Sequence, residues 1–346
     1  MEVGIFGNAG SGKSTLFRAL AGPAEGASQG KNAGVCAIKV PDDRVDRLSE
    51  IFKPKKTTHV TVAFHDIDAG EPDPLSTQAL AALKNVEVLV LVLRGFEDDF
   101  HPAPPGGLNP VREFRDMASA MLLSDYLVAQ KRVERMTKEA KRDSEWTALN
   151  KAIAAFEKEI PLRDIELVGE EERAVSGFRF VTRLPMLLVL NVGEEAAGAV
   201  PYPELDKAAA DAKLPLVRLC AKVEEEIAQL SPTEQAEFLR EMGSGRSARD
   251  RLVRGAFDAM QYISFLTVGE DEVRAWNVRR GSTAVTAAGR IHSDLEKGFI
   301  RAEVIPSEDF LRCGSMAKAK TEGKLRLEGK EYVVKDGDIV HVRFNV

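Results

Sequence analysis

A short segment near the start of the chain has the residue types and spacing of a phosphate-binding loop. Residues 7–14 read Gly-Asn-Ala-Gly-Ser-Gly-Lys-Ser, which fits the pattern G-x-x-x-x-G-K-[ST]. In such a loop, successive backbone N–H groups at a helix N-terminus surround phosphate oxygens. Lys13 would reach the β- and γ-phosphates of a nucleotide, and the Ser14 hydroxyl would hold Mg²⁺. The alternative is a glycine-rich turn that contains Lys-Ser by chance, but the apolar run before it and the helical run after it favour the phosphate loop.

A carboxylate at the end of a later run of β-branched residues is the second candidate functional group. Residues 59–66 read His-Val-Thr-Val-Ala-Phe-His-Asp, a pattern typical of a strand that ends in a carboxylate. Asp66 would hold a water on Mg²⁺, while Ser14 and phosphate oxygens complete the octahedral shell. The alternative is that Asp66 only caps a loop. The predicted metal ligands are therefore Ser14 and, through water, Asp66.

The segment after another apolar run bears on the choice of nucleobase. Residues 191–194 read Asn-Val-Gly-Glu. A guanine-specific loop needs Asn-Lys-x-Asp, whose Asp accepts hydrogen bonds from guanine N1–H and N2–H₂ together. Here the Lys is absent and Glu194 is one methylene longer than Asp, so a preference for guanine should relax or reverse. The segment favours ATP over GTP. The alternative, that Asn191 only ends a strand as a turn residue, stays open.

The elements that would position these residues are short apolar runs typical of parallel strands buried on both faces. They lie at residues 2–6, 35–40, 59–65, 86–93, 186–190 and 215–219. This arrangement predicts an α/β sheet with the phosphate loop after its first strand.

Between the fourth and fifth of these runs the hydrophobic period changes to that of a helix. Apolar residues recur every three or four positions in two stripes: Leu122, Tyr126, Ala129, Val133, Met136 and Ala140, then Trp146, Leu149, Ile153, Phe156 and Ile160. This spacing predicts a helical hairpin with a coiled-coil seam, inserted into the α/β domain. The outer face of its first helix is basic and contains Lys131, Arg132, Arg135, Lys138, Lys141 and Arg142. That face is either the solvated side of the coil or a rim that meets RNA phosphates, and the sequence leaves both open.

Composition sets the limits of these interpretations. The chain has 346 residues, 44% of them hydrophobic and 29% charged, which indicates two or three globular units with ample core. A formal net charge of −6 argues against a chain that coats nucleic acid or an anionic membrane. Cys36, Cys220 and Cys313 lack zinc-ligand spacing, so we expect a reducing compartment. We expect neither a signal peptide nor a membrane helix.

The C-terminal part predicts a small α+β module. Strand-like runs lie at residues 272–278, 324–327, 331–334 and 339–344, and a helical run lies at 284–297. A tight turn at Lys335-Asp-Gly-Asp connects the last two predicted strands.

Several of these segments resemble the YchF/Obg-like ATPase family. Val273-Arg-Ala-Trp, residues 287–303 and Tyr332-Val-Val-Lys-Asp-Gly-Asp closely resemble its TGS domain. Val40-Pro-Asp-Asp-Arg-Val-Asp-Arg-Leu is similar to the family's VPDxRLDxL segment, and Cys220-Ala-Lys followed by residues 224–230 is similar to its S-A-x-x-E-x-E-I-A-x-L region. The resemblance covers nearly the whole chain in order.

The resemblance implies an Obg-type α/β P-loop domain with an inserted helical coiled-coil arm and a C-terminal β-grasp, TGS-like domain. On this basis we expect the nucleotide-binding domain at residues 1–110 and 183–258, the arm at 111–182 and the TGS domain at 262–346. It also implies ATP binding and hydrolysis with Mg²⁺, association with ribosomes and a cytoplasmic location. RNA contact would involve the TGS domain and the basic helical face.

The residues expected to bind the nucleotide follow from the motifs and the resemblance together. Lys13 would carry the catalytic role of balancing phosphate charge, and Val192 would contact adenine through its main chain. The full set is Gly7, Asn8, Ala9, Gly10, Ser11, Gly12, Lys13, Ser14, Thr15, Asn191, Val192 and Glu194.

The chain departs from the family in the two segments that sense the γ-phosphate. Its switch I region has no Thr, with Ser28 as a weak substitute, and its switch II region has Glu71 and Pro72 where the family has a hydrophobic residue and a glycine-rich stretch. Because proline stiffens a segment that normally orders and disorders, we expect slow or partner-stimulated hydrolysis. The alternatives are a catalytically impaired, nucleotide-gated RNA- or ribosome-binding module, and GTP as the ligand.

Overall fold

The computed structural model describes residues 1–25, 34–67, 74–104, 106–196, 200–241 and 247–345. Its strands are β1 (Glu2–Phe6), β2 (Val35–Lys39), β3 (Lys56–Thr58), β4 (Thr61–Asp66), β5 (Val88–Gly95), β6 (Met186–Val192), β7 (Leu216–Leu219), β8 (Tyr262–Thr267), β9 (Glu272–Arg279), β10 (Phe299–Pro306), β11 (Arg326–Glu328) and β12 (Asp338–Phe344). Its α-helices are α1 (Lys13–Glu25), α2 (Asp43–Phe52), α3 (Thr77–Leu83), α4 (Pro110–Lys138), α5 (Ser144–Phe156), α6 (Glu170–Ser176), α7 (Pro203–Asp211), α8 (Ala221–Gln229), α9 (Pro232–Glu241), α10 (Ala248–Ala259), α11 (Ala284–Ile291), α12 (Ser293–Lys297), α13 (Ser307–Cys313) and α14 (Met316–Thr321). Among these described helices, none combines the length and the apolar character needed to cross a bilayer.

The first sheet has the strand order β2-β4-β1-β5-β6-β7. β1 runs parallel to both β4 and β5, and β6 runs parallel to both β5 and β7. Every residue of β6 is buried, as continuous apolar runs require when helices cover both faces of a parallel sheet. The prediction of an α/β sheet with the loop 7–14 directly after β1 is confirmed. The carboxyl ends of β1, β4, β5 and β6 therefore lie at one edge of the sheet.

The chain divides into two compact units. One consists of Met1–Ala37 with Ala63–Leu252, and the other of Ile38–Val62 with Val253–Val346. Residues 38–62, expected from sequence in the nucleotide-binding domain, group with the C-terminal residues because β3 pairs in parallel with β9.

The helical insertion in the first unit is built on α4 and α5. The Asn109 side chain accepts the Arg112 N–H at 2.9 Å and begins α4, and the Asp143 side chain begins α5 in the same way. The two helices share a hydrophobic cluster that includes most residues of the two predicted stripes: Leu122, Tyr126, Ala129, Val133, Met136, Trp146, Leu149, Ile153 and Phe156. Ala140 and Ile160 lie outside this cluster, since both come after the last turn of their helix.

The second sheet, in the second unit, has the strand order β11-β10-β12-β8-β9-β3. Its core forms where the alanines of α11 pack against Phe265 and Val304. Two sequence predictions are corrected here. Residues 331–334 are not a strand and form only the isolated bridge of Val333 to Thr283. The predicted helix 284–297 is two helices, because His292 leaves the helical conformation and caps α12 by accepting the Asp294 N–H.

Candidate functional site

The phosphate loop between β1 and α1 depends on glycines. Gly7, Gly10 and Gly12 have φ values of 151°, 74° and 86°, a region that side chains rarely adopt. A Cβ at Gly12 would lie 2.1 Å from Nδ2 of Asn191, and one at Gly7 would lie 2.4 Å from the Val92 carbonyl oxygen. The loop can thus take this path only with glycine at these positions.

The polar side chains of the loop lie at the start of α1. Lys13 donates from Nζ to the Asn8 carbonyl oxygen at 3.0 Å, and Ser14 is exposed. The backbone N–H groups in the first turn of a helix have no partners within the helix, and they point toward its positive end. Ala9 is exposed on the loop and Ser11 is buried beneath it. The arrangement suits an anion with several oxygens.

Asn191 joins the loop to a second segment. Its Nδ2 donates to the Ser11 carbonyl oxygen at 3.0 Å, and its Oδ1 accepts the Ala221 N–H at 2.9 Å. The side chain is 4% exposed and comes from the buried end of β6. Asn191 therefore fixes the spacing between the phosphate loop and the start of α8.

These segments line one continuous cleft with a volume of about 870 Å³. Its lining includes Gly10, Gly12 and Thr15 from the loop and α1, Asn191–Glu194 from the end of β6 and the turn after it, and Cys220–Lys222 from the start of α8. The volume is in the range of small-molecule sites. The cleft brings together Gly10, Gly12 and Thr15 of the predicted phosphate-binding residues and the Asn191–Glu194 segment, which the motifs predicted independently.

The part of the cleft lined by residues 192–194 combines a buried apolar side chain with an exposed charged one. The Val192 side chain is 4% exposed and packs in the core, which leaves its main chain to line the cleft. Glu194 follows in a 3₁₀ turn (Glu194–Ala196), and its Oε1 lies 2.5 Å from Nζ of Lys222. This hydrogen bond with Glu194 raises the pKa of Lys222 above its usual value.

Two residues that contact this region were not predicted as site residues. Glu113, in the first turn of α4, accepts hydrogen bonds from Nδ2 of Asn8 at 2.9 Å and from the Arg94 N–H at 3.1 Å. Burial raises the pKa of Glu113, although these hydrogen bonds oppose the shift. Arg94, which is 7% exposed, donates to the carbonyl oxygens of Phe96 at 3.0 Å and His101 at 2.5 Å. The capping signal Asn109-Pro110 predicts where α4 begins but says nothing about what its first turn contacts.

His101 also lies beside the phosphate loop. A Cβ at Gly10 would lie 3.1 Å from the His101 Cβ, and Nδ1 of His101 is 2.8 Å from Oδ2 of Asp98. Both residues line the cleft. The hydrogen bond with His101 lowers the pKa of Asp98.

The predicted magnesium ligands lie at the end of β4 and in the helix that follows the neighbouring parallel strand β1. Asp66 ends β4, which pairs with β1 in the register Ile5 with Asp66, and Ser14 follows β1 in the first turn of α1. A hydroxyl and a carboxylate are oxygen donors of the kind that Mg²⁺ prefers, so the donor set fits. In the described part of the chain, no group of three or more His, Cys, Asp or Glu side chains could hold a metal ion by itself. Phosphate oxygens would have to supply further ligands. Ser28 and the switch residues 68–73 lie outside the described residues.

Three of the six basic residues along and just after α4 form ion pairs. Arg132 pairs with Glu145 at 2.5 Å, Arg135 with Glu139 at 2.9 Å, and Lys141 with Asp143 at 3.0 Å. These pairs reduce the positive charge that the sequence alone suggests. The other three basic residues, Lys131, Lys138 and Arg142, are exposed.

Comparison with known proteins gives full-length matches. The chain is 36% identical to "Ribosome-binding ATPase YchF" of Bacillus subtilis (strain 168), over 100% of both chains. It is 35% identical to the protein of the same name from Escherichia coli O157:H7, over 100% of this chain and 99% of that one. Residues 262–345 match the family model YchF-GTPase_C, described as "Protein of unknown function (DUF933)". The solved structure of the Schizosaccharomyces pombe YchF GTPase superposes with a TM-score of 0.87 and 26% identity, over 99% of this chain and 97% of that one.

Proposed function

This chain belongs to the YchF family, and on that basis we propose that it binds ATP with Mg²⁺, hydrolyses it to ADP and associates with the ribosome. The observation that carries the proposal is the continuous cleft between the phosphate loop and the segment Asn191–Glu194. Asn191 hydrogen-bonds to both the phosphate loop and the start of α8, and so joins two of the segments that line the cleft.

The cleft suggests how ATP would lie. The backbone N–H groups of residues 7–15 would surround the triphosphate. Lys13 would give up its hydrogen bond to the Asn8 carbonyl oxygen and balance the phosphate charge instead. Ser14 and, through water, Asp66 would hold Mg²⁺, which neutralises charge on the phosphates when bound. The Val192 main chain would contact the base, and the Phe96 ring at the cleft wall offers a stacking surface.

Hydrolysis would be slow without a partner. Phosphoryl transfer depends on positioning and electrostatics, and the chain keeps the loop and Lys13 but departs at residues 28 and 71–72 from the family's switch pattern. A single-turnover assay with γ-labelled ATP, with and without ribosomes, tests this. We expect slow phosphate release that ribosomes accelerate. Release at the same fast rate in both samples would contradict it, and no release in either would favour the catalytically impaired, nucleotide-gated module.

Ribosome association would use regions outside the cleft. We propose that residues 1–110 and 183–258, apart from 38–62 and 253–258, which group with the C-terminal unit, form the nucleotide-binding domain. We propose that residues 111–182 form a coiled-coil arm and that 262–346 form a TGS-like β-grasp domain, in a cytoplasmic protein. RNA contact would involve the C-terminal domain and the basic face of the arm, where Arg132, Arg135 and Lys141 are ion-paired. Co-sedimentation of the whole chain with ribosomes, with and without ATP, tests the association. If ATP and the Lys13→Ala substitution both leave the co-sedimented fraction unchanged, a ribosome-binding module that does not respond to nucleotide is favoured.

GTP remains the competing ligand. Asn191-Val-Gly-Glu lacks the Lys and Asp that a guanine-specific loop uses, which favours ATP. Calorimetric titration with ATP, ADP and GTP, with and without Mg²⁺, separates the two. Tighter binding of GTP than of ATP would overturn the ATP assignment.

A further inference from the structure

We propose that Lys222 is a determinant of base preference, because its ion pair with Glu194 withdraws the carboxylate from guanine and leaves a donor–acceptor pair that adenine can use. The inference rests on the proposed function, since it requires a nucleotide in the cleft beside these residues. It assigns a role to a side chain that was not among the residues predicted to bind the nucleotide.

The two residues come from different segments at the same end of the cleft. Glu194 begins the turn after β6, and Lys222 is the second residue of α8. Nζ of Lys222 lies 2.5 Å from Oε1 of Glu194, and both residues line the cleft. The neighbouring backbone is fixed, because Oδ1 of Asn191 accepts the Ala221 N–H at 2.9 Å. The ion pair thus has anchored segments on both sides.

Both side chains are accessible to a ligand. The Lys222 side chain is 66% exposed and the Glu194 side chain is 53% exposed. An exposed pair of this kind adds little to folding stability. Its charges nevertheless decide which hydrogen-bonding groups a base would meet at this end of the cleft.

Guanine and adenine need different partners here. Guanine presents two adjacent donors, N1–H and N2–H₂, and a carboxylate reads them with both oxygens. Oε1 of Glu194 is engaged by Lys222, so guanine would find one oxygen available or would have to displace the lysine. A guanine turned to place O6 at Lys222 would leave N2–H₂ without that acceptor. A site that leaves a polar group unpaired discriminates against the base that carries it.

Adenine can use the pair as it stands. Its N6–H₂ group donates and its N1 accepts, which matches one carboxylate oxygen of Glu194 and the ammonium of Lys222. Lys222 remains protonated near neutral pH, since its pKa is raised by Glu194 and by the nearby Glu226. The ammonium is therefore available as a donor under ordinary conditions.

The test compares ATP and GTP affinities of the whole chain by calorimetry with Mg²⁺. The variants are Lys222→Ala, Lys222→Arg, and Lys222→Ala combined with Glu194→Ala. Lys207→Ala is the matched control, because it removes one exposed positive charge from α7 in the same unit.

We expect the ratio of the GTP to the ATP dissociation constant to fall about fivefold or more in Lys222→Ala, since a freed bidentate contact discriminates by at least about 1 kcal/mol. The ratio should stay near the wild-type value in Lys222→Arg and Lys207→Ala. In the double variant it should return at least to the wild-type value, because the carboxylate that reads guanine is gone.

Two results would overturn the inference while leaving the proposed function intact. One is wild-type nucleotide binding with an unchanged ratio in Lys222→Ala. The other is a fall in the ratio that persists in the double variant, which would exclude Glu194 as its cause. A wild-type chain that binds neither nucleotide would overturn the proposed function and this inference with it.

Discussion

Asn8 donates a hydrogen bond from its side-chain Nδ2 to Oε1 of Glu113 at 2.9 Å, across 105 positions of sequence. The same carboxylate accepts the backbone N–H of Arg94 at the end of β5. Glu113 therefore ties the phosphate loop to the first turn of α4 and to the central strand. The loop is held from beneath by Asn191 and from the side by Glu113.

Replacing Glu113 should weaken nucleotide binding. We expect Glu113→Ala to raise the ATP dissociation constant about tenfold, because loss of a charged hydrogen-bond acceptor costs about 1.5–3 kcal/mol. Calorimetry with Mg-ATP measures the effect. Asp116→Ala on the same helix is the control, since Asp116 is exposed one turn further on. Equal affinities of the two variants would show that Glu113 does not hold the loop.

Gly12→Ala should abolish nucleotide binding. A Cβ at this position would lie 2.1 Å from Nδ2 of Asn191, and the φ of 86° is unfavourable for alanine. The control is Gly177→Ala, whose Cβ would enter open space. Binding of a fluorescent ATP analogue reports the difference. Retained binding in Gly12→Ala would mean that the loop does not receive the phosphates.

Ser11→Ala should stabilise the fold. Ser11 is 0% exposed, and its hydroxyl oxygen has no hydrogen-bond partner within the described residues. An unsatisfied buried hydroxyl costs about 1–3 kcal/mol, so its removal should raise the free energy of unfolding by about 1 kcal/mol. Urea unfolding of wild type and variant gives the value. A destabilised variant would show that the hydroxyl is satisfied in solution.

Asp125 should make stability depend on pH. It is 0% exposed and accepts hydrogen bonds from the N–H groups of Val181 and Thr182 and from the Thr182 hydroxyl. Burial raises its pKa above the ordinary 3.8, although these bonds oppose the shift. The folded chain therefore binds this proton more tightly than the unfolded chain. The resulting stabilisation is complete below pH 3.8 and is lost as the pH rises through the raised pKa.

Asp125→Asn should remove this dependence. The unfolding free energy of wild type minus that of the variant should fall as the pH rises from 3.8 toward neutrality. Subtracting the two free energies cancels the contribution of other acids, which titrate equally in both proteins. Urea unfolding at several pH values in this range measures both free energies. A difference that rises with pH would contradict the sign.

The first sheet was largely predictable because its strands are marked locally. β1 has the bounds expected from its apolar run, and β6 was recognised because strands covered on both faces have continuous apolar sequences. The second sheet was less predictable. β8 and β10 were missed, and residues 331–334 look like a strand but form a single bridge, since strand pairing depends on partners distant in sequence.

The candidate site was likewise predictable only where a local motif marks its residues. The loop 7–14 and the segment 191–194 could be found because each is a local motif. The contact of Asn191 with Ser11 spans 180 positions, and neither it nor the bond from Asn8 to Glu113 has a local signal. The ion pair of Lys222 with Glu194 was invisible for the same reason. The family membership predicted from sequence is confirmed by the full-length relatives.

The cleft of this YchF-family chain is proposed to bind ATP through the phosphate loop. Calorimetric titration of the whole chain with Mg-ATP, beside Lys13→Ala and the control Lys207→Ala, tests it most directly. We expect saturable binding of one ATP per chain in the wild type and in Lys207→Ala. We expect Lys13→Ala to lose about a hundredfold or more in affinity, because Lys13 balances the phosphate charge. No binding by the wild type, or equal binding by Lys13→Ala, would contradict it.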